Sequence, residues 1–249
     1  MSIVVDWTAD SIPFEFEKAV SQPLVERLNE APNEVDHYLQ RLADSISQHM
    51  NLPKDVEIHV RYVNSDTVNA VATLGGHVWI YRGLLERLPD ENTLAMLLGH
   101  EIAHIKFRHP VKALGKGVVV SLILSAIMGQ SSDSVANVIT DTSTLTLLSF
   151  SRRQEQASDE EGIRALNAFY GHVHGATALF EILQQVHQQD GFAVPQLLSS
   201  HPDTGNRIEQ LKQIADKQGW AKQGIPKAIP EDILGIIAAD KKSMNREAQ

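Results

Sequence analysis

The sequence contains no cysteine, so disulfide bonds and thiolate metal ligands are both excluded. It is also poor in positive charge, because 22 Lys and Arg against 31 Asp and Glu give a formal net charge of −9. A chain with this balance is not expected to bind nucleic acid, whose phosphates attract basic surfaces. The 249 residues are 43% hydrophobic and 21% charged, which is typical of a folded domain with a buried core.

No apolar run has the length of about 20 residues that a membrane-spanning helix needs. The stretch 118–128 is apolar on every helical face, and such a helix must be covered by something. Burial within the domain, self-association, contact with a membrane and a lid over the site all remain open for it. Residues 1–10 contain no basic region and no long apolar core, so no signal peptide is predicted. We therefore expect a soluble domain, either cytoplasmic or membrane-associated through an anchor outside this sequence.

The segment His100-Glu101-Ile102-Ala103-His104 has the form H-E-x-x-H and lies in an apolar run with helical periodicity. Residues four apart share one face of a helix, so His100 and His104 can direct two imidazoles at one metal ion, with Glu101 beside a metal-bound water. This motif is a signature of zinc metalloproteases. Asp90 is the predicted N-cap and Pro110 the predicted stop, which gives a motif helix at 90–109.

Two histidines do not complete a catalytic zinc site, which usually has three protein ligands and one open position for water. The best candidate for the third ligand is Glu155, on a helix predicted at 151–170. Asp159 follows one turn later, where its carboxylate could accept a hydrogen bond from a ligand imidazole and fix the tautomer of that ring. The sequence thus predicts one Zn²⁺ per chain, held by His100, His104 and Glu155.

H-E-x-x-H followed at a distance by S-R-x-x-E-x-x-x-D resembles the gluzincin metalloendopeptidases of the HtpX, CAAX-prenyl-protease and Oma-type family. The likeness runs from about residue 13 to residue 211, and the usual E-x-x-A-D reads E-x-x-S-D here because Ser158 replaces Ala. Two further segments carry it. Residues 69–81 are similar to the family's N-A-x-A-x-x-G-G-x-I element, and His201-Pro202 with Arg207-Ile208 is similar to its H-P-x-x-x-x-R-I motif.

The resemblance implies a mainly helical α+β, zincin-like domain with a small antiparallel sheet and an active-site helix. It implies a metalloendopeptidase that cleaves extended, unfolded or membrane-associated polypeptides, with Glu101 as general base and acid. His201 is the candidate donor to the oxyanion, and Arg207 is the alternative as a donor or as a residue that orients the loop. Prenyl-protein processing is not implied, because that branch of the family is embedded in membranes.

In such a family the edge strand of the sheet takes the substrate as an added strand. Residues Gly76, His77, Val78 and Trp79 are the candidates for that role, and a plain core strand is the alternative. His172 and His174 lie in a loop between Gly171 and Gly175, and this loop either chelates a metal or caps the preceding helix. His109 lies about 140° further round the motif helix than His104, so we expect it to be a supporting residue and not a ligand.

The predicted order of elements is helices within 11–50, a sheet at 56–81, the motif helix and the Glu155 helix. These form a metallopeptidase domain at 1–219, and 220–249 is predicted as a loosely structured extension with one short docked helix at 229–239. Three functions compete: an active zinc endopeptidase, a zinc-binding but catalytically latent binding or chaperone-like module with a covered cleft, and a helical scaffold without metal. The intact set of ligands and base favours the first.

Overall fold

The computed structural model describes residues 12–27, 31–114, 149–189, 197, 201 and 204–247. These residues form an α+β domain whose helices and small sheet enclose one main hydrophobic core, as predicted. The strands are β1 (His59–Val63), β2 (Ala70–Ala72) and β3 (His77–Tyr81), with a 3-10 turn at Leu74–Gly76. The helices are α1 (Phe14–Arg27), α2 (Glu34–Ser47), α3 (Arg82–Leu85), α4 (Glu91–Lys106), α5 (His109–Leu114), α6 (Arg152–Tyr170), α7 (Ala178–Gln189), α8 (Thr204–Gln218) and α9 (Glu231–Glu247).

Helix α4 carries the H-E-x-x-H motif and begins where the sequence predicts. The Asp90 carboxylate accepts a hydrogen bond from the Thr93 N–H at 2.8 Å, which is the geometry of an N-cap. The helix ends at Lys106, so the prediction that it continues to residue 109 and stops at Pro110 is wrong. The helix ends there because Arg108 has a left-handed φ of 58°. Pro110 lies in the first turn of the next helix, α5, where proline is tolerated.

Helix α6 carries Glu155 and has the predicted bounds. Ser151 is its N-cap and forms a capping box with Gln154, and Gly171 ends it in the left-handed region with a φ of 76°. The caps fix where α6 begins and ends, and therefore which of its residues face α4.

The sheet is mixed, which corrects the prediction of an antiparallel sheet. The strand order is β1-β3-β2, with β3 antiparallel to β2 and parallel to β1. β2 reverses the direction of the chain, and β3 reverses it again and inserts between the two earlier strands. Alternating apolar and polar residues predict that a segment is a strand, but they carry no information about which strand becomes its neighbour.

Side chains of α2 close the outer edge of β1. Gln40 accepts a hydrogen bond from the Val60 N–H at 2.8 Å and donates one to the Ile58 carbonyl at 2.9 Å. The Asp36 carboxylate accepts a third bond, from the Tyr62 N–H, at 2.8 Å. Among the described strands, β2 is therefore at the end of the sheet that α2 does not close.

Two glycines allow α4 and α6 to pack backbone against backbone. A Cβ atom on Gly162 would lie 3.1 Å from the backbone nitrogen of His100, and a Cβ on Gly99 would lie 3.2 Å from the Cα of Gly162. Both distances are shorter than ordinary van der Waals contact. Glu155 lies two helical turns before Gly162, so this contact sets how near Glu155 comes to the motif histidines.

The C-terminal segment is part of the same core, which corrects the prediction that it is loosely structured. Helix α9 extends to Glu247, eight residues beyond the predicted end at residue 239. Ile229, Ile233 and Ile237 are buried in the main hydrophobic cluster, and Lys241 forms an ion pair with Glu86 at 2.7 Å. The predicted domain boundary at 219 stays a prediction.

Within the described ranges, no helix combines the length and apolar character required to cross a membrane. The apolar stretch 118–128 lies outside the described residues. Its burial in the domain and its roles as a lid, a membrane contact or a self-association surface therefore stay predictions.

The close contact of α4 and α6 gives a test of this packing. We expect Gly162→Ala to lower the free energy of unfolding by about 1–3 kcal/mol, because the added methyl group overpacks the contact with His100. Gly235→Ala is the matched control, since a Cβ there meets nothing within 4 Å in the middle of α9. That variant should be neutral or stabilised by about 0.5–1 kcal/mol through helix propensity. Equal stabilities of the two variants in urea denaturation would contradict the packing described.

Candidate metal centre

Three predicted ligands come together in the interior. His100 and His104 lie on one face of α4, with their Nε2 atoms 2.9 Å apart. The carboxylate of Glu155 reaches them from α6, with one oxygen 3.5 Å from the Nε2 of His100 and the other 3.5 Å from that of His104. None of the three side chains is more than 3% exposed. The two helices thus direct two imidazoles and one carboxylate at a single point.

His201 joins this group as a fourth candidate ligand, whereas the sequence predicted it near the metal only as a donor to the oxyanion. Its Nδ1 lies 3.1 Å from the Nε2 of His100 and 3.0 Å from Glu155 Oε1. Ligand atoms of His100, His104, Glu155 and His201 all lie within 4.8 Å of one another. The H-P motif placed His201 near the site, but a motif does not fix the direction of a ring, so only the structure could add it to the candidate ligands.

The donor set fits a divalent metal ion. The Nδ1 of His100 faces an oxygen of Asp159 at 2.9 Å, and a carboxylate in that position keeps the ring proton on Nδ1. The Nε2 of His100 then presents a lone pair toward the Nε2 of His104. Clustered nitrogen and oxygen lone pairs repel one another unless a cation lies between them, and zinc binds histidine and carboxylate ligands in such sets.

Arg207 binds both carboxylates that α6 contributes. Its Nε and Nη2 each donate to an oxygen of Asp159 at 2.7 Å, and its Nη1 lies 2.6 Å from Glu155 Oε2. The guanidinium is 4% exposed and lies 4.4 Å from the centre of the Phe180 ring. A planar guanidinium that makes two parallel bonds to one carboxylate fixes its orientation. Arg207 therefore positions Asp159 and Glu155.

The same contacts set the charge state of the two carboxylates. Burial acts to raise the pKa of Asp159, but Arg207 and His100 together more than offset it and hold that pKa below its usual value. Burial also acts against ionisation of Glu155, whose pKa is nevertheless lowered by His201, His100 and Arg207. Both carboxylates are thus held as anions in the protein interior.

The side chain of Glu101 lies beside the group. It is 0% exposed, and among the described residues neither of its oxygens has a hydrogen-bond partner. The Nε2 of His201 lies 3.6 Å from Glu101 Oε1 and also lacks a hydrogen-bond partner within the described part of the chain. Burial lowers the pKa of His201, but Glu155 and Glu101 act more strongly and raise it overall. A buried carboxylate left unpaired costs stability, so its retention indicates a chemical role.

His109 contacts the Nδ1 side of the His104 ring, which is consistent with the expected supporting role. The Nδ1 atoms of the two rings lie 2.9 Å apart, and the Oγ of Ser158 lies 3.4 Å from the Nδ1 of His109. Burial and nearby Lys112 lower the pKa of His109 to about 3, so the ring is neutral. Ser158, the residue that departs from the family pattern, thus provides a hydroxyl that faces His109.

The prediction that residues 76–79 form a free edge for substrate is wrong. His77, Val78 and Trp79 pair with β1 on one side, and Val78 and Trp79 pair with β2 on the other, so β3 is a central strand. The chain order gave no sign that β1 would lie beside β3.

Metal chelation was one of two alternatives for the loop at 171–175, and the structure gives it no support. His174 pairs with Asp90 at 3.1 Å, and no group of metal-binding geometry is found there among the described residues.

Known proteins resemble this chain over most of its length. The model of peptidase family M48 matches residues 33–215. The β-barrel assembly-enhancing protease of Yersinia pestis is 25% identical, over 84% of this chain and 46% of that protein. The mitochondrial metalloendopeptidase OMA1 of Schizosaccharomyces pombe is 29% identical, over 63% of this chain and 46% of its own length, and human OMA1 is 26% identical, over 63% and 32%.

The chain therefore spans less than half the length of these curated relatives. The family match, in contrast, covers well over half of the chain, and the match includes the H-E-x-x-H helix and the Glu155 helix. On this evidence the protein belongs to peptidase family M48.

Proposed function

We propose that the protein is a zinc-dependent endopeptidase that hydrolyses peptide bonds of extended or unfolded polypeptides, with Glu101 as the general base. The observation that supports this most directly is the buried group of His100, His104 and Glu155 with the unpartnered carboxylate of Glu101 beside it. Zinc bound by those three residues would supply a Lewis acid that acidifies water and polarises a carbonyl.

Glu101 takes the proton from the attacking water and delivers it to the leaving amine. Its two oxygens have no hydrogen-bond partner among the described residues, so their lone pairs are available for that proton. Its full burial excludes competing bulk water. General acid–base catalysis of this kind contributes about 10²–10⁴ to the rate.

His201 is the better candidate for stabilising the oxyanion, and Arg207 acts by positioning. The Nε2 of His201 has no hydrogen-bond partner within the described residues and lies on the side of Glu101. All three guanidinium nitrogens of Arg207 already contact Asp159 or Glu155. A donor to a developing negative charge must be free to turn toward it, which favours His201.

Recognition of an extended polypeptide through its main chain needs an unpaired strand edge. β3 is paired on both sides and α2 closes β1, so we propose that β2, Ala70–Ala72, takes this role. All three residues of β2 are at most 1% exposed, so a substrate strand must displace the residues that cover this edge. The Yersinia relative is named a β-barrel assembly-enhancing protease, and membrane-associated polypeptides stay among the proposed substrates.

Replacement of the base tests the mechanism. We expect Glu101→Gln to reduce kcat for an unfolded protein or a quenched peptide by about 10²–10⁴, because the amide cannot accept the proton, while zinc content stays unchanged. Glu209→Gln, an exposed position on α8, is the matched control and should keep full activity. Cleavage retained by Glu101→Gln would reject the role assigned to Glu101.

A zinc-binding but latent protein is the second candidate, and one observation favours it. With His201 included, the group offers four protein ligand atoms. Four protein ligands are the pattern of closed structural zinc sites, whereas a catalytic site keeps one position open. In this state His201 would hold the position that water needs.

Removal of His201 separates the two candidates. If His201 stabilises the oxyanion, His201→Ala should lower kcat/KM by about 10²–10³, with zinc content unchanged. We expect this decrease, measured with the same quenched peptide and with zinc determined in parallel. An increase in kcat/KM with zinc retained would show that His201 blocks the site and would favour the latent protein.

A further inference from the structure

A crevice of about 300 Å³ lies beside the candidate metal group, between the first turns of α6 and α8. Glu155 and Arg207 form its inner wall, and these are the candidate ligand and the residue that positions it. The rest of the described lining consists of Arg152, Arg153, Gln156, Asn206 and Gln210. The crevice therefore adjoins the candidate metal group on the side of Glu155 and Arg207.

The lining has a charge opposite to that of the chain as a whole. The protein has a formal net charge of −9, yet the described residues that line the crevice include three arginines and one carboxylate. That carboxylate, Glu155, lies 2.6 Å from Arg207 and turns toward the histidines. The remaining lining side chains are amides, which can donate hydrogen bonds. The crevice thus offers positive charge and N–H donors.

The dipole of α6 does not favour the two outer arginines of the crevice. Arg152 and Arg153 occupy the first two positions of the helix, where the backbone dipole disfavours cations by about 0.3–1 kcal/mol. The first turn of α6 also contains the acidic Glu155, and acidic residues occupy the first turns of α2, α4 and α9, as the dipole favours. Residues that break a local rule beside an active site indicate a functional demand.

We infer that this crevice is a subsite for a carboxylate of the polypeptide substrate, with Arg153 as its selecting residue. The carboxylate comes either from an acidic side chain near the scissile bond or from the C-terminus of the substrate. A guanidinium matches a carboxylate with two parallel hydrogen bonds, which gives both strength and direction. Arg153 is exposed at the crevice, so it can adjust to the ligand. This inference rests on the proposed peptidase function.

Binding to the Glu101→Gln variant tests the subsite without cleavage. Four fluorescent peptides that differ at one position are compared: Glu, Gln or Lys with an amidated C-terminus, and Gln with a free C-terminal carboxylate. The variable position is moved through the peptide to locate the subsite. We expect at least one carboxylate peptide to bind about 5–20-fold more tightly than the amidated Gln peptide, and its source identifies which carboxylate is taken.

Arg153→Gln in the same background should abolish this preference, and Arg153→Glu should reverse it in favour of Lys. Arg164→Gln is the matched control, because Arg164 is an exposed arginine on α6 about 16 Å further along the helix axis. It should retain the preference. Equal affinity for all four peptides, or a preference that Arg153→Gln leaves unchanged, would overturn the subsite.

A cleavage assay with Glu101 intact distinguishes failure of the subsite from failure of the proposed function. If no peptide is cleaved while the Arg153-dependent preference persists in binding, the peptidase proposal fails and the carboxylate site stands. If peptides are cleaved with equal kcat/KM whatever their charge, the subsite fails and the peptidase proposal stands. The inference predicts cleavage with a kcat/KM preference for the carboxylate peptide that Arg153→Gln removes.

Discussion

The direct contact of α4 with α6 at Gly99 and Gly162 is the constraint on which the site depends. Because neither residue has a side chain, the two backbones approach until a single added methyl group would clash with His100. The helices are far apart in sequence, and this contact fixes the distance between the two histidines of one and Glu155 of the other. Caps at the starts of both helices, Asp90 and Ser151, set which residues face each other across it.

Charge balance explains why this interior tolerates so many ionisable groups. Glu101, Glu155 and Asp159 carry three negative charges when ionised, and Arg207 carries one positive charge, all with little or no exposure. With His201 neutral, the excess of two negative charges equals the charge of one divalent cation. Buried charges without such compensation cost several kcal/mol each, so a divalent cation bound here would stabilise the network. Arg207 contributes twice, because it neutralises Asp159 and orients Glu155.

The two helices of the site and their candidate ligands could be predicted from the sequence, because the patterns that indicate them lie within short segments. H-E-x-x-H on an amphipathic run, a carboxylate pair four residues apart, and clear caps predicted α4, α6 and their shared site. The features that the sequence did not predict depend on contacts between residues far apart in the chain. Insertion of β3 beside β1, the direction of the His201 ring and the docking of α9 on the core are set by packing between distant segments. The pattern of apolar residues within one segment does not indicate which distant segment packs against it.

The central claim is that Glu155 and the two motif histidines hold one metal ion, and metal analysis of the purified protein tests it most directly. After dialysis against buffered zinc, the wild type should retain one zinc per chain. Glu155→Ala should lose at least about ten-fold in zinc affinity while its circular dichroism stays helical, and Glu160→Ala on the same helix should match the wild type. A wild type that retains no zinc, or a Glu155→Ala variant that retains it with unchanged affinity, would contradict the account.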